Sequence, residues 1–242
     1  MNEILAVNKI NKWIDDKHIL RDFNMNIHRG TIHALLGPNG AGKTSLLKTI
    51  LGISKLNSGE IIFENESLQL PYQKEIRMKI GYVPDEPILT NYLTGIENLS
   101  YMNLVYGNSK HDKELLEILK LNGIDNAKDV LVKDYSKGMK QRLSLAIMDL
   151  FSPTLLILDE PSIGLDVVGV NNLKNKLRGY REQGCTILLT THDIHFCQEI
   201  ADNISLINKG ENIDEGSTSN WLLKYDNIEI AMIEKLNLEI GG

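Results

Sequence analysis

The octet GPNGAGKT, residues 37–44, joins the apolar run TIHALL to the helically spaced KTSLLKTIL. Its glycines remove the side chains that would block a tight turn, so successive backbone N–H groups can converge on one point. A buried strand, such a loop and a helix in immediate succession demand a sheet that delivers the loop to its edge. They also demand a helix that starts there with its positive dipole end facing the turn. The spacing is G-x-x-x-x-G-K-[ST], and its chemistry is that of a phosphate cradle. The backbone amides bind phosphate oxygens, Lys43 adds a mobile charge, and Thr44 offers a hydroxyl to Mg²⁺. The alternative is an ordinary glycine turn, which would not need the Lys-Thr pair in register with a strand and a helix.

A second segment supplies what a phosphate cradle lacks. LLILDEP reads as a buried strand ending in Asp159 and Glu160. A carboxylate at a strand's C-terminal end can hold a metal, and the next one can polarise a lytic water towards a γ-phosphate. Elsewhere such a pair often caps a turn; beside the loop it points to phosphoryl chemistry. TTHD closes another apolar strand with His192, a candidate hydrogen-bond donor to the same phosphate. His192 and His195 also fit H-x-x-H, but no third metal ligand stands at a sensible spacing.

The rest of the chain reads as an α/β core interrupted by helices. EILAVNKI, TIHALLG and GEIIFEN are strand-like. From Pro87 to about Leu150 the segments TGIENLSYMNLVYG, HDKELLEILKLNG and SKGMKQRLSLAIMDL have helical spacing. Alternation then resumes with TLLILDE, NNLKNKLRGYREQG and CTILLTTHD, and NISLINKGENIDEG reads as a hairpin. The 242 residues suffice for one buried domain, and a formal net charge of −6 disfavours a nucleic-acid partner. No apolar run is long enough to span a bilayer, and the first residues do not read as a signal peptide. Two cysteines, Cys185 and Cys197, suit packing in a reducing, cytoplasmic setting.

YSKGMKQR, residues 135–142, is a second loop-to-helix junction suited to an anion. With the preceding motifs, in this order, it resembles the ATP-binding cassette family from Ile4 to about Gly216. The resemblance implies a P-loop NTPase of RecA-like core, with an N-terminal antiparallel β subdomain and an inserted helical subdomain carrying the signature. The single domain would comprise a nucleotide-binding core over 1–84 and 151–216, a helical subdomain over 85–150 and a short helical tail over 217–242. ATP with Mg²⁺ would be held by Gly37, Pro38, Asn39, Gly40, Ala41, Gly42, Lys43, Thr44 and Ser45. Trp13 stands where the family has an aromatic that stacks on adenine, the alternative being core packing. Lys43, Glu160 and His192 would be catalytic, and Thr44, Asp159 and Asp85 would serve the metal.

In the family the signature meets ATP held by a second subunit. Ser136, Lys137, Gly138 and Met139 would therefore act in trans, with Ser136 also capping its helix. Lys137 and Met139 depart from the usual glycine and glutamine. SIGLD, from Ser162 to Asp166, resembles the loop that contacts the other subunit, and Asp85 replaces a usual glutamine. The resemblance implies an ATPase that dimerises head to tail, as a homodimer or with a related chain, and drives a separate transmembrane subunit at the inner face of the membrane. It is most similar to small bacterial exporters of drugs, peptides or lipids. Two other readings are a soluble cassette ATPase in translation, repair or cluster assembly, and a phosphoryl-transfer kinase.

Overall fold

The computed structural model describes residues 3–236. β1 (Glu3–Ile14) and β2 (Lys17–His28) form a long antiparallel hairpin, followed by β3 (Ile32–Leu36) and α1 (Lys43–Ile50). β4 (Ser58–Phe63) returns along β1 and carries the two-residue β5 (Glu66–Ser67), giving an antiparallel sheet ordered β2-β1-β4-β5. Then come α2 (Lys74–Lys79), β6 (Ile80–Val83) and a helical excursion, α3 (Gly95–Val105), α4 (Asp112–Leu121) and α5 (Lys137–Met148). The chain re-enters the core as β7 (Leu155–Asp159), α6 (Val167–Glu182), β8 (Thr186–Thr191), α7 (Ile194–Ile200), β9 (Asn203–Asn208) and β10 (Glu211–Ser217). It continues through α8 (Thr218–Lys224) and α9 (Ile228–Leu236).

The second sheet is ordered β10-β9-β3-β8-β7-β6, parallel throughout except for β10 against β9. Every residue of β3, β7 and β8 is buried. Strands covered on both faces must be apolar on both, which is why their sequences run as continuous hydrophobic stretches. Their alternating side chains feed two cores. Leu156 and Leu158 join the helices α3 to α7, whereas Leu155 and Ile157 face the layer of α1 and the antiparallel sheet. Register then does the positioning. Leu36 pairs with Thr191 and Asp159 with Thr190, so β3, β7 and β8 end at one edge of the sheet. The loop after β3, the carboxylates after β7 and His192 after β8 therefore emerge together.

The helical excursion is anchored by its own polar groups. Thr94 and Glu97 form a reciprocal capping box at the start of α3. Buried Asn98 accepts from the Thr90 N–H and donates to the carbonyls of Thr90, Leu93 and Thr94, closing the preceding loop. Tyr135, at the head of α5, is buried and donates its hydroxyl to Ala127 O at 2.6 Å. A Cβ at Gly95 would lie 2.1 Å from that hydroxyl, so α3 and the entrance to α5 are fitted to one another.

β2, β6 and α2 are elements the sequence reading did not single out. β2 places Phe23, Met25 and Ile27 inward while alternate residues stay exposed, so it lacks a continuous apolar run. β6 is four residues long and α2 buries no residue completely. The hairpin read in NISLINKGENIDEG is β9–β10, turned by Lys209 and Gly210 at φ 48° and 84°. The tail read over 217–242 contains α8 and α9, and residues 237–242 lie outside the described residues. Cys185 and Cys197 are buried free thiols, both pushed up to about 12 by burial. They pack and do not react.

Candidate active site

A cleft of about 470 Å³ opens at the sheet edge, lined by Ile19, the loop from Pro38 to Ser45, Asp85, Glu160, Ile163 and His192. Its floor depends on glycine at two places. A Cβ at Gly37 would stand 2.2 Å from the carbonyl oxygen of Ile207 on β9, so only glycine lets the loop leave β3 there. Gly42 caps α1 at φ 112°, a conformation that other residues rarely adopt.

Lys43 opens α1 and is buried. Its ammonium donates to the loop's own carbonyls, to Gly37 O at 2.7 Å and Pro38 O at 3.3 Å, and stands 3.9 Å from Glu160 Oε1. Burial lowers its pKa, and the nearby Glu160 and Asp159 carboxylates oppose that shift. The charge is thus tethered inside the loop by weak carbonyl acceptors that a phosphate oxygen can replace.

Thr44 donates its hydroxyl to Asp159 Oδ2 at 3.1 Å, while buried Thr190 donates to Asp159 Oδ1 at 2.5 Å. Thr190 was not read as a site residue. The signal was present, because a threonine buried in the apolar run LLTT must find a partner for its hydroxyl. The Thr190 hydroxyl and carbonyl also accept the Glu160 N–H, both at 3.1 Å. Glu160 itself sits at φ 49°, an unfavourable conformation for a residue with a side chain, held by these contacts. Its Oε2 accepts from the His192 backbone N–H at 3.2 Å and lies 3.0 Å from His192 Nδ1. Lys43, Thr44, Asp159, Glu160 and His192, expected from separate motifs, form one connected group.

Other expected residues are placed differently. Trp13 stacks on His18 across the β1–β2 hairpin, with ring centroids 3.8 Å apart, and is not among the residues lining the cleft. It remains 41% exposed, so packing in the core is not its role. Ser136 caps α5 by accepting from Met139 N–H at 3.2 Å, and Ser136, Lys137, Gly138 and Met139 do not line the cleft of their own chain. Ser162 is buried. Asp166 caps α6 through Gly169 N–H at 2.7 Å. Asp85 lines the cleft, but its Oδ1 accepts from Lys137 Nζ at 2.7 Å, a partnership absent from the sequence reading. The carboxyl expected to serve a metal is engaged with an ammonium. Nearby, the Tyr82 phenol is pushed up to about 12 by burial and then by the Asp159 and Asp85 charges.

A protein-family model described as ABC transporter matches residues 20–163. The chain is 36% identical over 212 residues to the lantibiotic transport ATP-binding protein SrtF of Streptococcus pyogenes, covering 88% of this chain and 90% of that one. It is 32% identical over 244 residues to the energy-coupling factor transporter ATP-binding protein EcfA3 of Clostridium perfringens, covering 98% and 84%. Among solved structures, an ATP-binding subunit of an ABC transporter superposes with a TM-score of 0.87 at 26% identity, covering 96% and 99%. The dimeric cassette MJ0796 bound to ADP and Pi superposes with a TM-score of 0.80 at 25% identity, covering 89% and 99%. The chain carrying this loop, carboxylate pair and helical excursion belongs to the ABC transporter family, as an ATP-binding protein that couples ATP hydrolysis to transport.

Proposed function

We propose that the cleft binds ATP with Mg²⁺, that two cassettes close head to tail over two nucleotides, and that the cycle drives a separate transmembrane subunit of an exporter. The observation that carries the site reading is the pair of contact sets Lys43–Glu160–His192 and Thr44–Asp159, bridged by Thr190 beside one cleft. The donors at Thr44 and Asp159 are a hydroxyl and a carboxylate, an all-oxygen set that fits a hard divalent cation. When bound, Mg²⁺ neutralises charge on the β- and γ-phosphates.

The chain's own residues do the rest. Lys43 exchanges its loop carbonyls for phosphate oxygens, and the amides between Gly37 and Ser45 surround the phosphates. Glu160 accepts a proton from the attacking water as that oxygen bonds to the γ-phosphorus and the bond to ADP breaks. The His192 backbone N–H holds the Glu160 carboxylate in orientation, and the imidazolium form of the side chain, a donor at both nitrogens, keeps Nδ1–H on Glu160 and offers Nε2–H to the γ-phosphate. Trp13, on the hairpin beside Ile19, is the proposed adenine platform.

The signature side is argued from chemistry. Ser136, Lys137, Gly138 and Met139 do not line their own cleft, yet they form a capped helix N-terminus, a place where an anion is stabilised. A second copy or a related cassette supplies that anion, and the Ser162–Asp166 loop then lies at the contact. A solved relative of this fold is itself described as a dimeric ADP-bound cassette.

The transmembrane partner is supported by large apolar side chains left to solvent between β6 and the end of α3, where Ile88, Tyr92 and Leu104 are 84%, 82% and 72% exposed. Among the described residues no helix is long and apolar enough to cross a membrane, and the proposal assigns the spanning role to a separate subunit. Export of a drug, peptide or lipid rests on the similarity to the lantibiotic transport protein, within a set of relatives that also holds an energy-coupling factor transporter protein.

Glu160→Gln tests the site reading. ATP binding is retained while turnover falls by about 10²–10⁴, the usual cost of losing a general base. Near-normal turnover would remove Glu160 from its role. Cargo accumulation in inverted vesicles, measured with the co-purified membrane protein, tests export.

A further inference from the structure

The ion pair between Lys137 and Asp85 joins two segments that chain order separates by 52 residues. Asp85 follows β6 and Pro84, where the chain leaves the parallel sheet, and it lines the cleft. Lys137 is the first residue of α5. Its aliphatic stem also passes over the turn before α6. A Cβ at Gly164, which sits at φ 76°, would lie 3.0 Å from Lys137 Cδ. One side chain thus touches the cleft wall and the loop ahead of α6 while belonging to the helix that Ser136 caps.

Helix energetics do not explain a lysine here. A cation in the first turn opposes the helix dipole, and no acidic residue stands in the first turn of α5 to offset it. Asp85 does explain it. Glu160 already lines the cleft with Asp85, and the Asp159 carboxylate stands behind it on the Thr44 hydroxyl. An uncompensated third carboxylate would repel the phosphates of a nucleotide.

We infer that Lys137 is a positioning residue for nucleotide binding in its own chain: by holding Asp85 in an ion pair it cancels that carboxylate's charge at the wall of the cleft. This role is in cis and acts through Asp85, unlike the trans role proposed for Ser136, and it rests on the reading of the cleft as the ATP site. Both partners are partly solvent-exposed, at 39% and 44% for the side chains, so the effect is that of one partly screened charge.

The test is ATP affinity by isothermal titration calorimetry, with chelator present and at concentrations where light scattering shows a monomer. Lys137→Gln uncovers Asp85 and weakens ATP binding about threefold to tenfold at low salt, less at high salt. Asp85→Asn tightens it, and the Asp85→Asn, Lys137→Gln double variant returns to within about twofold of the parent chain. Lys137→Arg keeps the parent affinity. With excess Mg²⁺ the deficit of Lys137→Gln shrinks, because the freed carboxylate no longer faces bare phosphate. A merely structural pair would predict no rescue, since the double variant lacks the contact as completely as either single variant. An unchanged affinity for Lys137→Gln, or a double variant as weak as Lys137→Gln, overturns the inference. If Lys43→Ala binds ATP as tightly as the parent chain, the cleft reading itself fails and this role falls with it.

Discussion

Thr190→Val removes one hydroxyl from the centre of the site and almost nothing else. Thr190 is fully buried, and its Oγ1 donates at 2.5 Å to Asp159 Oδ1, itself 5% exposed. Valine matches its shape, and the Glu160 N–H keeps the Thr190 carbonyl as acceptor at 3.1 Å, so no backbone group is orphaned. What is lost is the hydroxyl's share of the Glu160 N–H and, chiefly, a hydrogen bond to a buried carboxylate, worth about 1.5–3 kcal/mol. For a chain of this size each kcal/mol corresponds to about 2–4 °C, so the melting temperature should fall by roughly 3–12 °C. The same change frees Asp159 to rotate away from Thr44, and turnover should fall by about tenfold if that carboxylate holds the metal. Thermal unfolding without nucleotide reads the first effect, and steady-state ATPase over a Mg²⁺ titration reads the second. Thr190→Ser, which keeps the hydroxyl, should recover most of the turnover. A Thr190→Val chain as stable as its parent, with an unchanged Mg²⁺ response, would refute the assignment of Thr190 as the anchor of Asp159.

Gly37→Ala should abolish detectable ATP binding while leaving secondary structure intact, because a Cβ 2.2 Å from Ile207 O forces the loop off the sheet edge; tight binding in circular-dichroism-normal protein would contradict this. Mixing Ser136→Arg with Lys43→Ala chains should restore part of the ATPase activity that each lacks alone, since one of the two composite sites is then intact; mixed dimers with no recovery would count against action in trans or against sufficiency of a single site. His33 is buried on β3 with its pKa lowered to about 3, chiefly by burial. The native fold therefore binds fewer protons there than the unfolded chain between pH 6.5 and 3, and stability is lost as pH falls through that window. His33→Gln should flatten that loss in denaturant titrations compared at pH 7 and pH 4, and an unchanged pH slope would remove His33 as its source.

Local sequence determined what each motif can do. Glycine spacing, Lys43 and Thr44 dictate an anion cradle because amide convergence and a following helix are short-range properties. LLILDEP and LLTTHD declare buried strands with polar ends for the same reason, and the helices of the excursion show their period within ten to twenty residues. β2 escaped because only one of its faces is buried. Tertiary structure alone decided which ends meet. The parallel register of β3, β8 and β7 brings Lys43, Asp159, Glu160 and His192 to one edge, across separations no local pattern encodes. It also supplied Thr190 as the anchor of Asp159, and it turned the two unexpected charges, Asp85 and Lys137, into one ion pair 52 residues apart in the chain. Sequence shows a charge as a property of one residue, but its cost or benefit depends on the distance to its neighbours, and that distance exists only once the chain has folded.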